Sequence, residues 1–299
     1  MKCLVTGGAG FIGSHLVDKL INLRHTVIVI DDESAISNSE FYHNDEAVYY
    51  KNDICDYKST RELYDGVDFV FHLAANARIQ IGLKNPIRCV EVNTLGTTTV
   101  LQCAREAGVR KVIYSSTSSS YGLKNKPPLR EDMLEDCLNP YSVSKVSGEK
   151  LCKMYTDLFE LKTVILRYFN VYGERQPLKG QYAPVIGLFL EQAKREEALT
   201  VVGDGEQRRD FTHVSDVVQA NVDCMYTNAY GIINIGTGRN YSVNQIAKMI
   251  SNNHVYIDAR PGESRETLAN ISKAKFYLDW EPKVRVEEWI DEHKLQCGL

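Results

Sequence analysis

Tyr141 and Lys145 are the residues of this sequence whose types and spacing point most directly to acid–base chemistry. They lie four positions apart in a segment that predicts a helix over 141–159, so their side chains share one face of that helix. A free tyrosine holds its proton up to about pH 10, but an ammonium nearby favours the phenolate. The pair could therefore act as a base near neutral pH. Because the same spacing is common on exposed helix faces, the pair by itself does not establish a site.

A run of hydroxyl side chains precedes this helix and could complete a proton relay. The segment 112–114 predicts a short apolar strand, which leads into the tract Ser115-Ser-Thr-Ser-Ser-Ser-Tyr-Gly122. Thr117 or a neighbouring hydroxyl is the candidate for a hydrogen bond to the base. The beginning of the chain indicates which cofactor such a relay would serve.

The first thirty or so residues have the pattern of a dinucleotide site. A predicted strand over 3–6 runs into glycines at positions 7, 10 and 13, and a predicted helix over 14–23 follows. Such glycines allow a tight turn and a close backbone approach, and the pyrophosphate lies on the helix N-terminus. A second predicted strand over 26–30 ends at Asp31 and Asp32, which are placed to accept hydrogen bonds from an adenosine ribose. Because Asp31 would repel a 2′-phosphate, the predicted cofactor is NAD rather than NADP.

Composition limits the other classes of function. The chain has 299 residues and 43% hydrophobic residues, which is ordinary for an enzyme. Its net charge of −4 gives no indication of binding to nucleic acid or to a membrane surface. No apolar run reaches the length of about eighteen residues typical of a membrane span, and no signal peptide is predicted. The eight cysteines form no Cys-x-x-Cys pair, so we expect free thiols in a reducing cytoplasm, without disulfides or a metal site.

Alternating strands and helices predict an α/β fold. Further strands are expected over 47–50, 68–71, 199–202 and 232–235 and at the segment from 163, and further helices over 57–64, 87–107, 184–196, 215–226 and 284–294. This order predicts a Rossmann-type doubly wound parallel sheet with a smaller α/β C-terminal domain. The predicted cofactor domain comprises 1–168 plus about 212–236. The predicted substrate domain comprises about 169–211 plus 237–299, with the ligands in the cleft between the two.

Several motifs occur together in the order of one known family. They are Thr6-Gly-Gly-Ala-Gly-Phe-Ile-Gly13, His72-Leu-Ala-Ala75, Ser115-Ser-Thr117, Tyr121-Gly122 and Tyr141-x-x-x-Lys145. With them the chain resembles the extended short-chain dehydrogenases/reductases and, among these, the nucleotide-sugar 4-epimerases, over nearly its whole length. The resemblance implies a reversible inversion at C4 of a UDP-sugar. NAD would take a hydride from C4, leaving a 4-keto sugar, and return it to the opposite face.

The resemblance also implies roles for individual residues. Thr117, Tyr141 and Lys145 would be catalytic, with Tyr141 as a phenolate stabilised by Lys145 and by the nicotinamide charge. The implied cofactor-binding residues are Gly7, Gly10, Phe11, Ile12, Gly13, Asp31, Asp32, Asp53, Ile54, Leu73, Ala74, Ala75, Asn93, Ser115, Tyr141, Lys145 and Tyr168. The implied substrate-binding residues are Thr117, Ser118, Ser119, Tyr141, Asn170, Val185, Arg209, Arg260 and Thr267.

The sugar is predicted from one position. In epimerases of this family, the residue seven positions after the second phosphate-binding arginine lies over the C2 substituent of the sugar. Counting from Arg260 gives Thr267, which is far smaller than a tyrosine. The resemblance therefore favours UDP-N-acetylglucosamine and UDP-N-acetylgalactosamine, with UDP-glucose and UDP-galactose also admitted.

The same residues bear on several related functions. Related 4,6-dehydratases carry an Asp-Glu pair where this chain has Ser118 and Ser119, and related decarboxylases carry a glutamate there, so both are disfavoured. A UDP-glucuronate 4-epimerase needs no such acid and stays open. A dinucleotide-sensing binding protein would not need Thr117, Tyr141 and Lys145 together.

The resemblance further implies a homodimer. Two long helices of each subunit, predicted over 87–107 and 141–159, would form an intersubunit four-helix bundle. Both are rich in apolar residues, which the core of a monomer would also explain.

Overall fold

The computed structural model describes residues 1–35, 38, 40–178, 184–259 and 264–299. Its strands are β1 (Lys2–Thr6), β2 (Thr26–Ile30), β3 (Val48–Tyr50), β4 (Phe69–His72), β5 (Lys111–Thr117), β6 (Thr163–Tyr168), β7 (Val171–Tyr172), β8 (Leu199–Val202), β9 (Arg208–Arg209), β10 (Thr212–His213), β11 (Gly231–Ile235), β12 (Tyr241–Ser242) and β13 (His254–Ile257).

The helices alternate with the main strands. They are α1 (Phe11–Asn22), α2 (Tyr57–Thr60), α3 (Ile79–Lys84), α4 (Pro86–Val90), α5 (Thr97–Glu106), α6 (Pro140–Phe159), α7 (Val185–Lys194), α8 (Val214–Tyr226), α9 (Val243–Ile250), α10 (Ser272–Leu278) and α11 (Val286–Cys297). Short 3₁₀ turns occupy Arg61–Tyr64 and Ser118–Tyr121, and a π-helical turn occupies Glu91–Gly96.

Seven strands form one parallel sheet in the order β11-β6-β5-β4-β1-β2-β3. Because β1 lies between β4 and β2, the chain winds in both directions from the middle of the sheet. The predicted Rossmann-type doubly wound sheet is confirmed. The carboxyl ends of parallel strands meet at one edge, where such sheets bind their ligands.

Apolar residues cover the sheet on both faces, which explains why its central strands are continuous hydrophobic runs. On one face Val5, Phe71 and Leu166 pack with side chains of α1 and α8. On the other face Leu4 and Val112 pack with side chains of α5 and α6. The helix α6 is therefore held against the sheet along a buried stripe, and it carries the predicted catalytic pair.

A separate apolar core joins the smaller elements of the second half of the chain. It includes Tyr172 and side chains of α7, α9 and α11, among them the buried Trp289. The short pairs β8–β13 and β9–β12 lie in this half, whereas β11 completes the large sheet. The helix α10 also packs on the core of the large sheet, through Ala274 and Leu278. The division into 1–168 plus about 212–236 and about 169–211 plus 237–299 stays a prediction.

The helix predicted over 87–107 differs from expectation. The structure has α4, a π-helical turn and α5 in succession, and such turns widen a helix by one residue and occur often at functional sites. The widened turn brings Asn93 toward the end of β4. The helices α3, α9 and α10 were not predicted, because each is short. The boundary signal of α9, a capping box of Ser242 and Gln245, was missed.

All eight cysteines are free, as predicted. Among the residues that the structure describes, no helix combines the length and the apolar character needed to cross a membrane.

Candidate active site

One large cavity of about 970 Å³ opens at the carboxyl ends of the central strands. Its lining runs from the glycine loop after β1, past the ends of β4, β5 and β6, to the segments around β9 and Thr267. A cavity of this size at this edge of a parallel sheet is where a dinucleotide and a second ligand would be expected.

The glycine loop forms the first wall of the cavity. Gly7 has a φ of +72°, and a Cβ there would lie 2.7 Å from the backbone nitrogen of Ala74. The helix α1 begins at Phe11, and no side chain caps it at Gly10. Its first N–H groups are thus available to an anion, in the field of the helix dipole. This close backbone cradle fits the pyrophosphate of NAD. Gly7, Gly10, Phe11, Ile12 and Gly13 all line the cavity.

The acids predicted to contact the adenosine also line the cavity, at its outer end. The carboxylate of Asp31 accepts hydrogen bonds from the backbone N–H groups of Ala9 (3.0 Å) and Glu33 (2.9 Å), so it is fixed beside the glycine loop. Asp53 forms an ion pair with Arg88 at 2.6 Å, and Asp32 lies 3.7 Å from the same guanidinium. Arg88 compensates part of the negative charge of this end. Ile54 lines the cavity beside Asp53.

The end of β4 forms the floor of the cofactor side. Leu73, Ala74 and Ala75 line the cavity, as predicted for small residues that let a cofactor approach the backbone. His72, directly before them, bridges two hydroxyls: its Nδ1 lies 2.7 Å from Thr6 Oγ1 and its Nε2 lies 2.9 Å from Thr97 Oγ1. Burial holds the pKa of His72 well below its usual value, so the bridge is neutral and structural.

Asn93 lies behind this floor, outside the cavity lining. It is buried, its Oδ1 accepts a hydrogen bond from the backbone N–H of Asn76 at 2.8 Å, and its Nδ2 donates to Ser144 at 3.0 Å. Asn93 therefore ties the loop after β4 to the helix α6. A direct contact of its side chain with the cofactor stays a prediction.

The helix α6 begins where it does because of its N-terminal cap. Asn139 accepts a hydrogen bond from the backbone N–H of Ser142, the Ser142 hydroxyl lies within hydrogen-bond distance of the Asn139 N–H, and Pro140 occupies the first turn. This capping box fixes the rotation of the first turn, and with it the direction of Tyr141. Both Tyr141 and Lys145 line the cavity, one helical turn apart.

Thr117 ends β5 opposite this helix and lines the cavity too. Its Oγ1 accepts a hydrogen bond from the backbone N–H of Ser119 at 3.1 Å, which leaves the hydroxyl proton to be donated elsewhere. A hydrogen bond between the side chains of Thr117 and Tyr141 lowers the pKa of the tyrosine, against the effect of burial. The structure thus brings the three predicted catalytic residues together.

The electrostatics of the pair differ from the prediction in one respect. Burial raises the pKa of Tyr141, and this effect exceeds the opposing effects of the Thr117 hydrogen bond and the charge of Arg78. When only the protein's own groups are counted, the pKa of Tyr141 lies above its usual value. The prediction that Lys145 brings it below that value is therefore wrong. Burial also lowers the pKa of Lys145 to about 8, and its ammonium lies 4.2 Å from the ring centroid of Tyr114.

The hydroxyls around the nicotinamide side form a buried set. Ser115 Oγ and the Tyr168 hydroxyl lie 2.9 Å apart, and the amide of Asn221 bonds the same tyrosine oxygen at 2.8 Å. Ser115 and Tyr168 line the cavity, as do Ser118 and Ser119 in the 3₁₀ turn after Thr117. No carboxyl occupies either of these last two positions, in agreement with the sequence.

The opposite side of the cavity is assembled from distant segments. Asn170 Nδ2 donates to Thr267 Oγ1 at 3.2 Å and to the backbone oxygen of Asp210 at 3.0 Å. The Asp210 carboxylate is fully buried and accepts hydrogen bonds from the backbone N–H groups of Thr237 (2.8 Å), Gly238 (3.0 Å) and Ala269 (3.0 Å). Asp210 thus connects the segments that carry the predicted substrate-binding residues.

Of the remaining predicted substrate residues, Arg209, Val185 and Thr267 line the cavity. Arg208, directly before Arg209, is half-buried, and its guanidinium donates to the side-chain and backbone oxygens of Asn240, both at 2.8 Å. Arg260 lies outside the described residues.

Sequence reasoning missed three basic residues that line the cavity, Arg78, Lys84 and Arg88. Arg78 follows the small residues at the end of β4. Its backbone has φ 91° and ψ 135°, a conformation that residues other than glycine rarely adopt. Its charge acts on Tyr141. The available signal was a basic residue just beyond the end of a cofactor-binding strand, where ligands of such sheets lie.

The sequence matches the NAD dependent epimerase/dehydratase family over residues 3–236. Similar proteins include the UDP-glucose 4-epimerase of Mycolicibacterium smegmatis, 34% identical over 303 residues that cover 97% of this chain and 96% of that protein. They also include the UDP-N-acetyl-alpha-D-glucosaminuronate decarboxylase of Bacillus cytotoxicus, 39% identical over 261 residues that cover 83% of this chain and 79% of that protein.

Solved structures agree with the fold over the whole chain. The UDP-glucose 4-epimerase of Thermotoga maritima with UDP-glucose has a TM-score of 0.94 and 38% identity, covering 100% of this chain and 98% of that one. The UDP-N-acetylglucosamine 4-epimerase of Methanobrevibacter ruminantium with UDP-N-acetylmuramic acid has a TM-score of 0.91 and 33% identity, covering 97% and 96%. The UDP-glucuronic acid 4-epimerase of Bacillus cereus with UDP-glucuronic acid and NAD has a TM-score of 0.88 and 32% identity, covering 100% and 99%.

Proposed function

Because this chain belongs to the NAD dependent epimerase/dehydratase family and is an NAD-dependent UDP-sugar 4-epimerase, we propose that Thr117, Tyr141 and Lys145 carry its catalysis and that it prefers N-acetylated sugars. The observation that carries the proposal is the arrangement of these three side chains in one cavity. The glycine loop forms one end of that cavity, and the Asn170–Thr267 pair forms the other.

NAD, when bound, supplies the acceptor and donor of the hydride at C4 of the sugar. The side chains of the chain handle the proton at the oxygen on C4. Tyr141 takes it and gives it back, and Thr117 donates a hydrogen bond to the same oxygen. Burial raises the pKa of Tyr141, and the Thr117 hydrogen bond and the charge of Arg78 oppose this effect. We propose that the ammonium of Lys145, on the same helix face, also favours the phenolate during the reaction. Lys145 is ammonium mainly below about pH 8.

The preference for an N-acetyl group rests on Thr267. It is buried in the cavity wall, and its hydroxyl accepts hydrogen bonds from the Asn170 side chain and from the backbone N–H of Asp210 (3.3 Å). These contacts hold the short side chain against the wall. By the resemblance this position lies over the sugar's C2, so we infer that its short side chain leaves space there for a substituent, whereas a bulky residue would fill it.

A second candidate substrate is a UDP-uronate, and Arg78 is the observation that favours it. This cation lies in the cavity wall close enough to Tyr141 for the two groups to interact electrostatically. An anionic group on the sugar near C4, such as a carboxylate on C5, would be attracted there. The backbone at Arg78 is in a sparsely populated region, and such conformations cluster at ligand sites. A sugar carrying both an N-acetyl group and a carboxylate would satisfy Thr267 and Arg78 together.

A substrate panel tests both candidates. Purified protein is given UDP-glucose, UDP-N-acetylglucosamine, UDP-glucuronate and UDP-N-acetylglucosaminuronate, and the products are resolved by NMR. We expect the C4 epimer of UDP-N-acetylglucosamine to form at a higher kcat/KM than that of UDP-glucose. Selective conversion of the uronates, lost in Arg78→Met and unchanged for neutral sugars, would favour the second candidate. Equal use of glucose and its N-acetyl analogue would contradict the first.

We also propose that the protein forms a homodimer through the helical segments 86–106 and 140–159. Their outer faces carry large exposed apolar side chains, among them Ile87 (82% exposed) and Leu158 (68% exposed). A second copy of the same faces would bury them in a four-helix bundle. Light scattering coupled to size exclusion tests this: wild type should have twice the mass of the chain, and Ile87→Glu with Leu158→Glu should reduce it to the monomer.

A further inference from the structure

The helix α6 is fastened to β5 at two points close to Tyr141 and Lys145. Tyr114 and Ser116 point to the same face of β5, the face on which α6 lies. The Tyr114 hydroxyl donates to the backbone oxygen of Lys145 at 3.1 Å, and the Ser116 hydroxyl donates to Oε1 of Glu149 at 2.5 Å. A Cβ at position 148 would lie 2.2 Å from the Tyr114 hydroxyl, so the glycine found there lets the helix come this close.

Glu149 extends this attachment to the next strand. Its carboxylate pairs with Arg167 of β6 through two hydrogen bonds, from Nε at 2.8 Å and from Nη2 at 2.6 Å. Ser116 and Arg167 are direct neighbours in the register of β5 and β6, so one carboxylate holds both strands. The guanidinium also lies over the ring of Tyr121, 4.7 Å from its centroid. Both members of the ion pair are buried, with side chains 1% and 2% exposed.

Stability alone does not account for this pair. Removing two charges from water is costly, and well-packed apolar residues of similar size often stabilise a fold as much or more. Within the part of the chain that the structure describes, Arg167 Nη1 has no hydrogen-bond partner, which adds to the cost. The position of the pair suggests another role. Ser116 directly precedes Thr117, and Glu149 follows Lys145 by one helical turn.

We propose that Glu149 is a positioning residue of the epimerase reaction. With Ser116 and Arg167 it fixes Thr117, at the end of β5, relative to Tyr141 and Lys145 on α6. This inference rests on the catalytic roles proposed above, and it adds the buried carboxylate that maintains their spacing. A shift of about 1 Å between such groups costs on the order of a hundredfold in rate.

The charge of Glu149 has a second, measurable effect. It raises the pKa of Lys145, against the burial that lowers that pKa to about 8. The other titratable groups around the lysine and the carboxylate lie on several elements: Cys89 on α4, His72 on β4, Tyr114 on β5, Arg167 on β6, Tyr121, Cys137, and Lys150 and Cys152 on α6. Without the carboxylate, the ammonium of Lys145 should be lost at a lower pH. In a plot of kcat against pH, the alkaline limb should then move to lower pH.

The first test is Glu149→Gln in the full-length protein with NAD, assayed on the best UDP-sugar of the panel. The amide keeps the size of the side chain but removes its charge. We expect kcat to fall by about 10- to 100-fold, with KM for the sugar and the NAD content close to wild type, and with the alkaline limb at lower pH. The matched control is Asp216→Asn, a buried carboxylate that accepts two backbone N–H bonds at 3.1 Å outside the cavity. It should lower the Tm but leave the alkaline limb in place.

A double variant covers the case in which Glu149→Gln fails to fold because Arg167 loses its partner. Glu149→Leu with Arg167→Met removes both charges at similar volume, which buried pairs often tolerate. A folded double variant that binds NAD should still be slow, with its alkaline limb at lower pH. Turnover within about twofold of wild type overturns the proposal, and so does a slow variant whose limb has not moved, since lost packing alone gives that result. If wild type epimerises no UDP-sugar of the panel, the proposed function fails instead.

Discussion

The two ends of the cavity are built in different ways. The cofactor end is made mainly of backbone: the glycine loop approaches Ala74, and α1 presents its N-terminus without a side-chain cap. The sugar end is made of side chains from segments far apart in the chain, held together by the buried carboxylate of Asp210. A backbone cradle tolerates little variation. A side-chain assembly can change one residue at a time, so differences in substrate among such enzymes should arise at the sugar end.

The largest expected effect is at the junction of the two ends. Tyr141→Phe removes the hydroxyl that handles the proton but keeps the ring in its buried place. We expect kcat to fall by at least about 10²-fold, while the Tm and the NAD content stay near wild type. The control is Tyr155→Phe on the same helix, where the hydroxyl donates to Gln102. Near-normal turnover in the Tyr141 variant would remove this residue from the mechanism.

The same contrast explains what the sequence could predict. The glycine loop, Asp31 and the Tyr141–Lys145 spacing are local patterns in which backbone or helix geometry already determines the site, and the structure has all of them in the cavity. The order of the sheet follows from the alternation of strands and helices. The roles of Arg78, Asp210 and Glu149 depend on contacts between distant segments, which no local pattern contains. The raised pKa of Tyr141 depends on burial, which appears only in the folded chain.

A bulky residue at position 267 should alter the sugar end alone. In Thr267→Tyr the ring must enter the cavity, because the backbone N–H of this residue is held by Arg208 at 3.0 Å. We expect kcat/KM for UDP-N-acetylglucosamine to fall by about 10- to 100-fold relative to that for UDP-glucose, a range typical of discrimination by the size of a substrate pocket. Thr267→Ser is the control that keeps the small size. Equal losses of kcat/KM for both sugars would show that Thr267 does not determine which sugar is accepted.

Weakening the hydrogen bonds of Asp210 should reduce the affinity for the UDP-sugar more than the affinity for NAD. Asp210→Asn replaces one acceptor oxygen by an amide that faces N–H donors, so some of the bonds to Thr237, Gly238 and Ala269 are lost. We expect KM for the UDP-sugar to rise by about tenfold, as the Arg209 and Thr267 segments loosen. The NAD dissociation constant should not change. Parallel titrations of sugar and NAD measure both, and equal weakening of the two would contradict the independence of the ends.

The smallest expected effect is at the outer part of the cofactor end, where charge rather than backbone sets the choice between NAD and NADP. Asp53 is paired with Arg88 at 2.6 Å, and Asp32 lies 3.7 Å from the same cation, so Arg88 compensates part of their charge. The Asp31 carboxylate accepts its bonds from the backbone N–H groups of Ala9 and Glu33. Its charge is therefore the one most available to repel a 2′-phosphate.

Asp31→Ala should reduce the preference for NAD over NADP by about fivefold to tenfold, since solvent screening at this end leaves roughly 1 kcal/mol of the repulsion. The change should shrink at high salt, because screening already weakens the repulsion in wild type. Binding of both dinucleotides, measured by calorimetry at two salt concentrations, checks this, with Asp32→Ala as the control that should change the preference less. A preference that stays the same in Asp31→Ala would mean that this carboxylate does not face the adenosine ribose. The discrimination would then have to come from the backbone cradle.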